Sequence, residues 1–254
     1  MPENILEIRN LRVSFSDPDG PEKSRIQAVS GVNLDIQRGS FTALVGESGS
    51  GKSVTALSVG KLLRGGETEG EVRFYGSTRL TARGRGISYV FQDPASSLNP
   101  VLRVGRQIEE AGKNVLQALV AAQITDAARV AASFPHELSG GMKQRAMIAM
   151  ALVSEPDLLI ADEPTTALDV SVEFEIMELL ARLRRERSLS VLFITHNLPL
   201  AMRYADTIHV MERGRVVESL IKRDGSFDEP RGPYTRRLFS AELLNQEPKS
   251  YIGS

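Results

Sequence analysis

The chain has 254 residues, 41% of them hydrophobic and 25% charged, and a net charge of −1. That length suits one large α/β core with room for an inserted subdomain, and the charge balance gives no overall reason to expect nucleic acid as a partner. With no cysteine there is no disulfide framework and no cysteine-ligated metal cluster, as suits a reducing cytosol. No apolar stretch reaches about 18 residues, and MPENILEI is not a signal sequence, so the chain is expected not to span a membrane by itself.

Residues 5–16, ILEIRNLRVSFS, alternate well enough for an edge strand or two with a bend at Asn10. Phe15 admits two readings: an aromatic before a flexible loop that stacks on a purine ring, or an ordinary strand aromatic in the core. SDPDGPEKS, 16–24, is a turn-rich loop. A hairpin is expected next: Val32, Leu34 and Ile36 alternate, QRG at 37–39 turns the chain, and Phe41, Ala43 and Val45 alternate again.

The second of those apolar runs leads into GESGSGKS, residues 46–53, with a helix expected from about Lys52 to Leu63. Gly46, Gly49 and Gly51 let the backbone curl so that successive N–H groups face one anion. The helix N-terminus adds unpaired donors and a partial positive charge. Lys52 can reach the β- and γ-phosphates of a nucleotide, and the Ser53 hydroxyl can take a magnesium position. LRGGETEG then reads as a polar turn and EVRFYG as a strand.

ISYVFQDP, 87–94, is an apolar strand ending in an amide, with Gln92 where open α/β sheets place ligand-binding groups. Its side chain offers both a donor and an acceptor to a metal-bound water. From about Pro94 to Glu137 strand signals fade, and an alanine-rich segment puts Val115, Leu119 and Ala122 on one helical face. LSGGMKQRAMIAMALV, 138–153, is a polar glycine turn entering an apolar helix; Ser139, Gly140 and Gly141 make either a second phosphate-facing nest or a plain capped helix.

DLLIADEP, 157–164, is a short buried strand ending in two acids. Asp162 can hold magnesium beside Ser53, and Glu163 can reach a water behind the γ-phosphate. Adjacent carboxylates repel unless a cation compensates, which favours a metal site. A helix over 173–187 buries Ile176, Leu179, Leu180 and Leu183, and the strand 190–196 leaves His196 just past its end. His209 lies inside an alternating hairpin around Arg213 and Gly214; His136 reads as structural, and the last thirty residues as a short peripheral tail.

Taken together these residues resemble the nucleotide-binding subunit of an ABC transporter, over nearly the whole chain. GESGSGKS resembles the Walker A loop, LLIADEP the Walker B strand, and LSGGM the signature motif, with Met142 where glutamine is commoner. Gln92 falls at the Q-loop, Thr166–Ala167–Leu168–Asp169 at the D-loop, His196 at the switch histidine and Phe15 at the adenine-stacking aromatic. The resemblance implies a P-loop NTPase (RecA-like) α/β core with an antiparallel β subdomain, 1–92 and 145–220. A short helical insertion with the signature motif fills 93–144, and a C-terminal tail 221–254.

It further implies ATP held by Phe15, Gly46, Glu47, Ser48, Gly49, Ser50, Gly51, Lys52, Ser53 and Val54. Mg2+ falls to Ser53, Gln92 and Asp162, and hydrolysis to Glu163, His196 and Gln92. Ser139, Gly140, Gly141 and Asp169 would complete the site of a second ATPase subunit in a head-to-tail dimer. FQDPASSLNP, IADEPTTALDVSV and GPYTRRL are similar to the ATPases of dipeptide, oligopeptide and nickel importers. That implies two transmembrane permease subunits, an extracytoplasmic substrate-binding protein, and a peripheral place on the cytoplasmic face of the membrane. The insertion is shorter than is usual in that subgroup, and no cysteine-rich C-terminal extension is present, which leans towards a short nickel-type subunit. The competing reading is a soluble ABC-type ATPase in nucleic-acid repair or translation, which would more naturally carry a long coiled-coil insertion or two tandem cassettes.

Overall fold

The computed structural model describes residues 3–19, 21, 24–78, 86–166 and 168–245. Strand β1 (Asn4–Ser16) pairs antiparallel with β2 (Arg25–Gln37), and β3 (Phe41–Val45) runs into the phosphate loop and helix α1 (Lys52–Val59). Strands β4 (Gly66–Phe74) and β5 (Ile87–Val90) follow, then the short helices α2 (Pro94–Ser97), α3 (Val104–Ala111), α4 (Val115–Ala121) and α5 (Ala127–Ala132). Helix α6 (Gly140–Leu152), β6 (Leu158–Asp162), α7 (Val170–Arg187), β7 (Ser190–Thr195) and α8 (Leu198–Tyr204) complete the central part. The chain closes with β8 (Thr207–Glu212), β9 (Arg215–Arg223), β10 (Ser226–Phe227) and α9 (Pro233–Asn245).

Two sheets result. The smaller has the order β2-β1-β4; the larger runs β10-β9-β8-β3-β7-β6-β5, parallel from β8 to β5. Side chains alternate across the larger sheet, so its strands feed two cores. Phe41, Ala43, Val45, Leu159, Ala161, Val191 and Phe193 face a core shared with α3 to α8. Leu44, Leu158, Ile160, Leu192 and Ile194 face the other, closed by α1 and the antiparallel sheet.

This layering corrects the expected hairpin. The chain turns at Gly39, but β2 stays with β1 while β3 inserts between β7 and β8. Every residue of β3 is buried. A strand buried on both faces belongs inside a covered parallel sheet, whereas β2, with Val32, Leu34 and Ile36 in and Asn33, Asp35 and Gln37 outward or half-exposed, suits a sheet with one wet face. Nor is β1 an edge strand: it is the middle of three, though the bend at Asn10 is present, with φ 48° and a register shift beside it. The fourth strand starts at Gly66, earlier than expected. GETEG is polar because β4 is a sheet edge held by main-chain pairing to β1.

Helices α2 to α5 lie between β5 and β6, with Leu119 and Ala122 fully buried in the first core. His209 sits in the β8–β9 hairpin with Nδ1 2.7 Å from Ser219 Oγ, and burial pushes its pKa down to about 4, so it stays neutral. His136 is exposed and stacks on Phe134. The C-terminal region is more than a peripheral tail, because Tyr234 and Thr235 of α9 are buried. The carboxyl ends of β3, β5, β6 and β7 share one edge of the parallel sheet, the general place for ligand sites in such sheets.

Candidate nucleotide site

At that edge lies a cavity of about 620 Å³, whose lining includes Glu47, Ser48, Gly49, Gly51, Lys52, Ser53, Val54, Gln92, Glu163, Thr166 and His196. Its size is in the range of small-molecule sites. The phosphate loop is drawn tight against the β8–β9 turn. Gly46 has φ 156°, and a Cβ there would come within 2.2 Å of the Met211 carbonyl oxygen; one on Gly51, with φ 102°, would come within 2.6 Å of that of Ala28. Glycine is required at both points for close backbone approach.

Lys52, only 4% exposed, donates through Nζ to the carbonyls of Gly46 at 2.8 Å and Glu47 at 2.9 Å. Burial lowers its pKa, while the charges of Glu163 and Asp162 work to keep it protonated. The ammonium is thus desolvated, partly compensated, and poised where an anion enters. Ser53 Oγ donates to Asp162 Oδ1 at 3.0 Å, bringing together two of the three groups assigned to a cation. Burial raises the Asp162 pKa against the hydrogen bonds from Tyr89 and Ser53, so a cation would relieve the charge the site has buried. No group of three or more His, Cys, Asp or Glu side chains able to hold a metal occurs among the described residues. Magnesium does not need one, since it keeps several waters and takes one or two protein ligands beside phosphate oxygens. The Ser53–Asp162 pair therefore fits that ion, and Gln92 lines the same cavity.

Glu163 stands just past β6 with a left-handed φ of 45°, its N–H donating to Ile194 O at 2.9 Å. Three side chains converge on its Oε2: Gln92 Nε2 at 3.2 Å, Thr166 Oγ1 at 2.9 Å and His196 Nδ1 at 3.3 Å. The ends of three strands thereby meet at one carboxylate oxygen. Phe15 is placed differently. Its half-buried ring packs in the second core near Leu63 and over Gly66, outside the cavity lining. Ser139 caps α6, its Oγ accepting from Met142 N at 3.3 Å, and Asp169 caps α7, accepting from Val172 N at 3.0 Å. These two turns adjoin, since a Cβ on Gly141 would touch Val172 at 2.9 Å, but neither lines this cavity. Ala167 lies outside the described residues.

Tyr89 and Thr166 have roles the sequence reading did not assign. Tyr89 Oη donates to Asp162 Oδ2 at 2.7 Å, and burial raises its pKa further above neutrality, so it remains a donor. The available signal was a phenol inside an apolar strand, which needs a partner when buried. Tyr89→Phe leaves the Asp162 carboxylate without one of its two positioning hydrogen bonds, and half-maximal hydrolysis should then require about 10-fold more Mg2+, the low end for a hydrogen bond to a charged group. A magnesium titration of ATPase activity measures this; an unchanged midpoint removes Tyr89 from the cation site.

A glycine-rich phosphate loop on the central strand of a parallel sheet, with a serine–aspartate pair and a glutamate at the neighbouring strand ends, defines a P-loop ATPase. The profile of the ABC transporter family matches residues 29–166, and this chain belongs to that family. Over 93% of its length it is 46% identical to a Brucella abortus protein provisionally named a peptide import ATP-binding protein, covering 76% of that protein. It is 41% identical to the dipeptide transport ATP-binding protein DppD of Bacillus subtilis, over 94% of this chain and 77% of that one. Among solved structures, the dimeric post-hydrolysis state of the ATP-binding cassette MJ0796 bound to ADP and Pi superposes with a TM-score of 0.72 at 30% identity, covering 86% of this chain and 99% of that one. The activity is that of a transporter ATPase, converting ATP and water to ADP and phosphate.

Proposed function

We propose that this chain drives the import of peptides as one of two ATPase subunits on a membrane permease. The names of the relatives support peptide as the cargo, and the convergence of Gln92, Thr166 and His196 on Glu163 carries the catalytic assignment. Lys52 and the loop N–H groups bind the β- and γ-phosphates. Glu163 polarises the attacking water, held in place by Thr166 and Gln92, and His196 contacts the γ-phosphate. A magnesium ion bound by Ser53, Asp162 and Gln92 would screen the charge between the phosphates. Phe15, half-buried at the end of β1 and outside the cavity lining, keeps its assignment to the purine ring on the motif resemblance alone.

Ser139, Gly140, Gly141 and Asp169 serve the site of the second ATPase subunit in a head-to-tail pair. Their position outside this chain's cavity supports that reading, as does the dimeric state of MJ0796. The γ-phosphate then bridges the two chains, and its hydrolysis releases them. No described helix is long and apolar enough to cross a membrane. On the import names of its relatives we place the chain on the cytoplasmic face, against two permease subunits fed by an extracytoplasmic binding protein. The insertion offers the contact: Val101 is 75% exposed and Val120 61%.

Because the chain has no cysteine, a single Val101→Cys is a clean probe. In membranes containing the assembled complex it should crosslink to an integral membrane subunit, and that complex should take up short peptides with ATP. Crosslinks to soluble proteins only, or uptake of nickel but not peptides, would overturn the partner or the cargo respectively.

A further inference from the structure

Helix α9 reaches the phosphate loop through one side chain. Tyr234, 7% exposed, packs its ring into the first core, and its hydroxyl oxygen accepts a hydrogen bond from the Glu47 N–H at 3.3 Å. That N–H belongs to the same peptide unit as the Gly46 carbonyl, which accepts from Lys52 Nζ at 2.8 Å. One peptide plane is therefore held at both ends, by a phenol on one side and by the nucleotide-facing ammonium on the other. The phenol has a fixed base: Glu218 of β9 accepts from the N–H groups of Arg231 at 2.7 Å and Gly232 at 3.0 Å, anchoring the start of α9. Packing α9 would need only the ring, and phenylalanine would supply it; the hydroxyl is the part that meets the loop.

We propose that Tyr234 is a positioning residue for ATP binding: its hydroxyl orients the Gly46–Glu47 peptide and so sets where Lys52 is presented to the phosphates. When the ammonium leaves the Gly46 carbonyl for an anion, that peptide loses one of its two restraints. The hydrogen bond that Glu47 N–H donates to Tyr234 Oη is the one that remains, and it keeps the loop from relaxing at the moment of binding. The C-terminal segment thereby becomes part of the nucleotide site although it supplies no atom to the cavity lining. This rests on the nucleotide-binding reading above and adds to it a residue remote in sequence.

The test compares Tyr234→Phe with the wild type in the full chain, as the assembled ATPase pair. The KM for ATP should rise about 5-fold, the size of one neutral hydrogen bond, with kcat within about twofold because bound phosphate holds the loop at saturation. The melting temperature without nucleotide should stay close to wild type, and amide exchange at Glu47 should quicken. A purely structural role would lower the melting temperature without this division between KM and kcat. An unchanged KM overturns the inference. Should Tyr234→Phe fold poorly, amide exchange at Glu47 in the wild-type chain decides: its protection must persist when ATP binds, and loss of protection on binding overturns the inference. Lys52→Ala measured alongside separates the two layers. If it turns over ATP normally, the nucleotide reading and the inference both fall; if it is inactive while Tyr234→Phe behaves as wild type, only the inference falls.

Discussion

Glu163→Gln should keep Mg–ATP binding and lose about 100- to 10,000-fold in hydrolysis, the range expected for removing a general base. The substitution preserves size and two hydrogen-bonding positions but removes the charge. Thr166 and Gln92 now donate to Glu163 Oε2, and a glutamine oxygen can still accept from them, so the local geometry should survive. What disappears is the ability to polarise the attacking water. With hydrolysis blocked, the γ-phosphate bridge persists, and a chain able to pair with itself should dimerise with ATP and dissociate with ADP. Where a related ATPase is the obligatory partner, both chains must be present. Single-turnover hydrolysis in the assembled pair, with binding measured separately, is the direct measurement. Cleavage at the wild-type rate in the mutant's own composite site would show that Glu163 is not the catalytic group.

Lys52→Ala should abolish turnover, by about 1,000-fold or more, since it removes the charged clamp on the transferred phosphoryl group. Its effect on the empty protein should be small. Burial of the ammonium is unfavourable, as its lowered pKa indicates, so removing it relieves a desolvation cost while two loop carbonyls lose a donor. The melting temperature without nucleotide should therefore change little, whereas the stabilisation that ATP confers on the wild type should vanish. Thermal melts with and without Mg–ATP, paired with an ATPase assay, read both effects. A mutant still stabilised by ATP to the wild-type extent, with native-like circular dichroism, would contradict the role given to Lys52.

How far the sequence carried the reading differs from residue to residue. The placement of Lys52, Ser53, Asp162 and Glu163 at strand ends was legible because each motif is a short contiguous stretch whose geometry is local: a strand, its end, and the turn beyond it. Gln92 and His196 were legible as strand-end residues, but their meeting at Glu163 Oε2 depends on β5, β6 and β7 lying side by side in register. The β2–β3 connection was misread because Phe41, Ala43 and Val45 alternate with Thr42 and Leu44, which are also buried. Period-two patterning cannot distinguish a strand with one wet face from one covered on both. Tyr89 and Tyr234 were missed for a related reason: a lone tyrosine announces a need for a partner without naming it.

The sequence by itself determined which groups stand at the sheet edge: a glycine-rich loop, a lysine within it, and a serine–aspartate pair, the set to which we assign phosphate and magnesium. Backbone curvature and side-chain type specify these within a few consecutive residues. Only the tertiary structure decided that β3 leaves its chain neighbour to sit between β7 and β8, and that three strand ends close on one carboxylate oxygen. It alone also showed α9 bonded to the phosphate loop across 187 positions of sequence. Those contacts join residues far apart in the chain, and burial on both faces of the parallel sheet selects them over the local pairing that short-range pattern suggests.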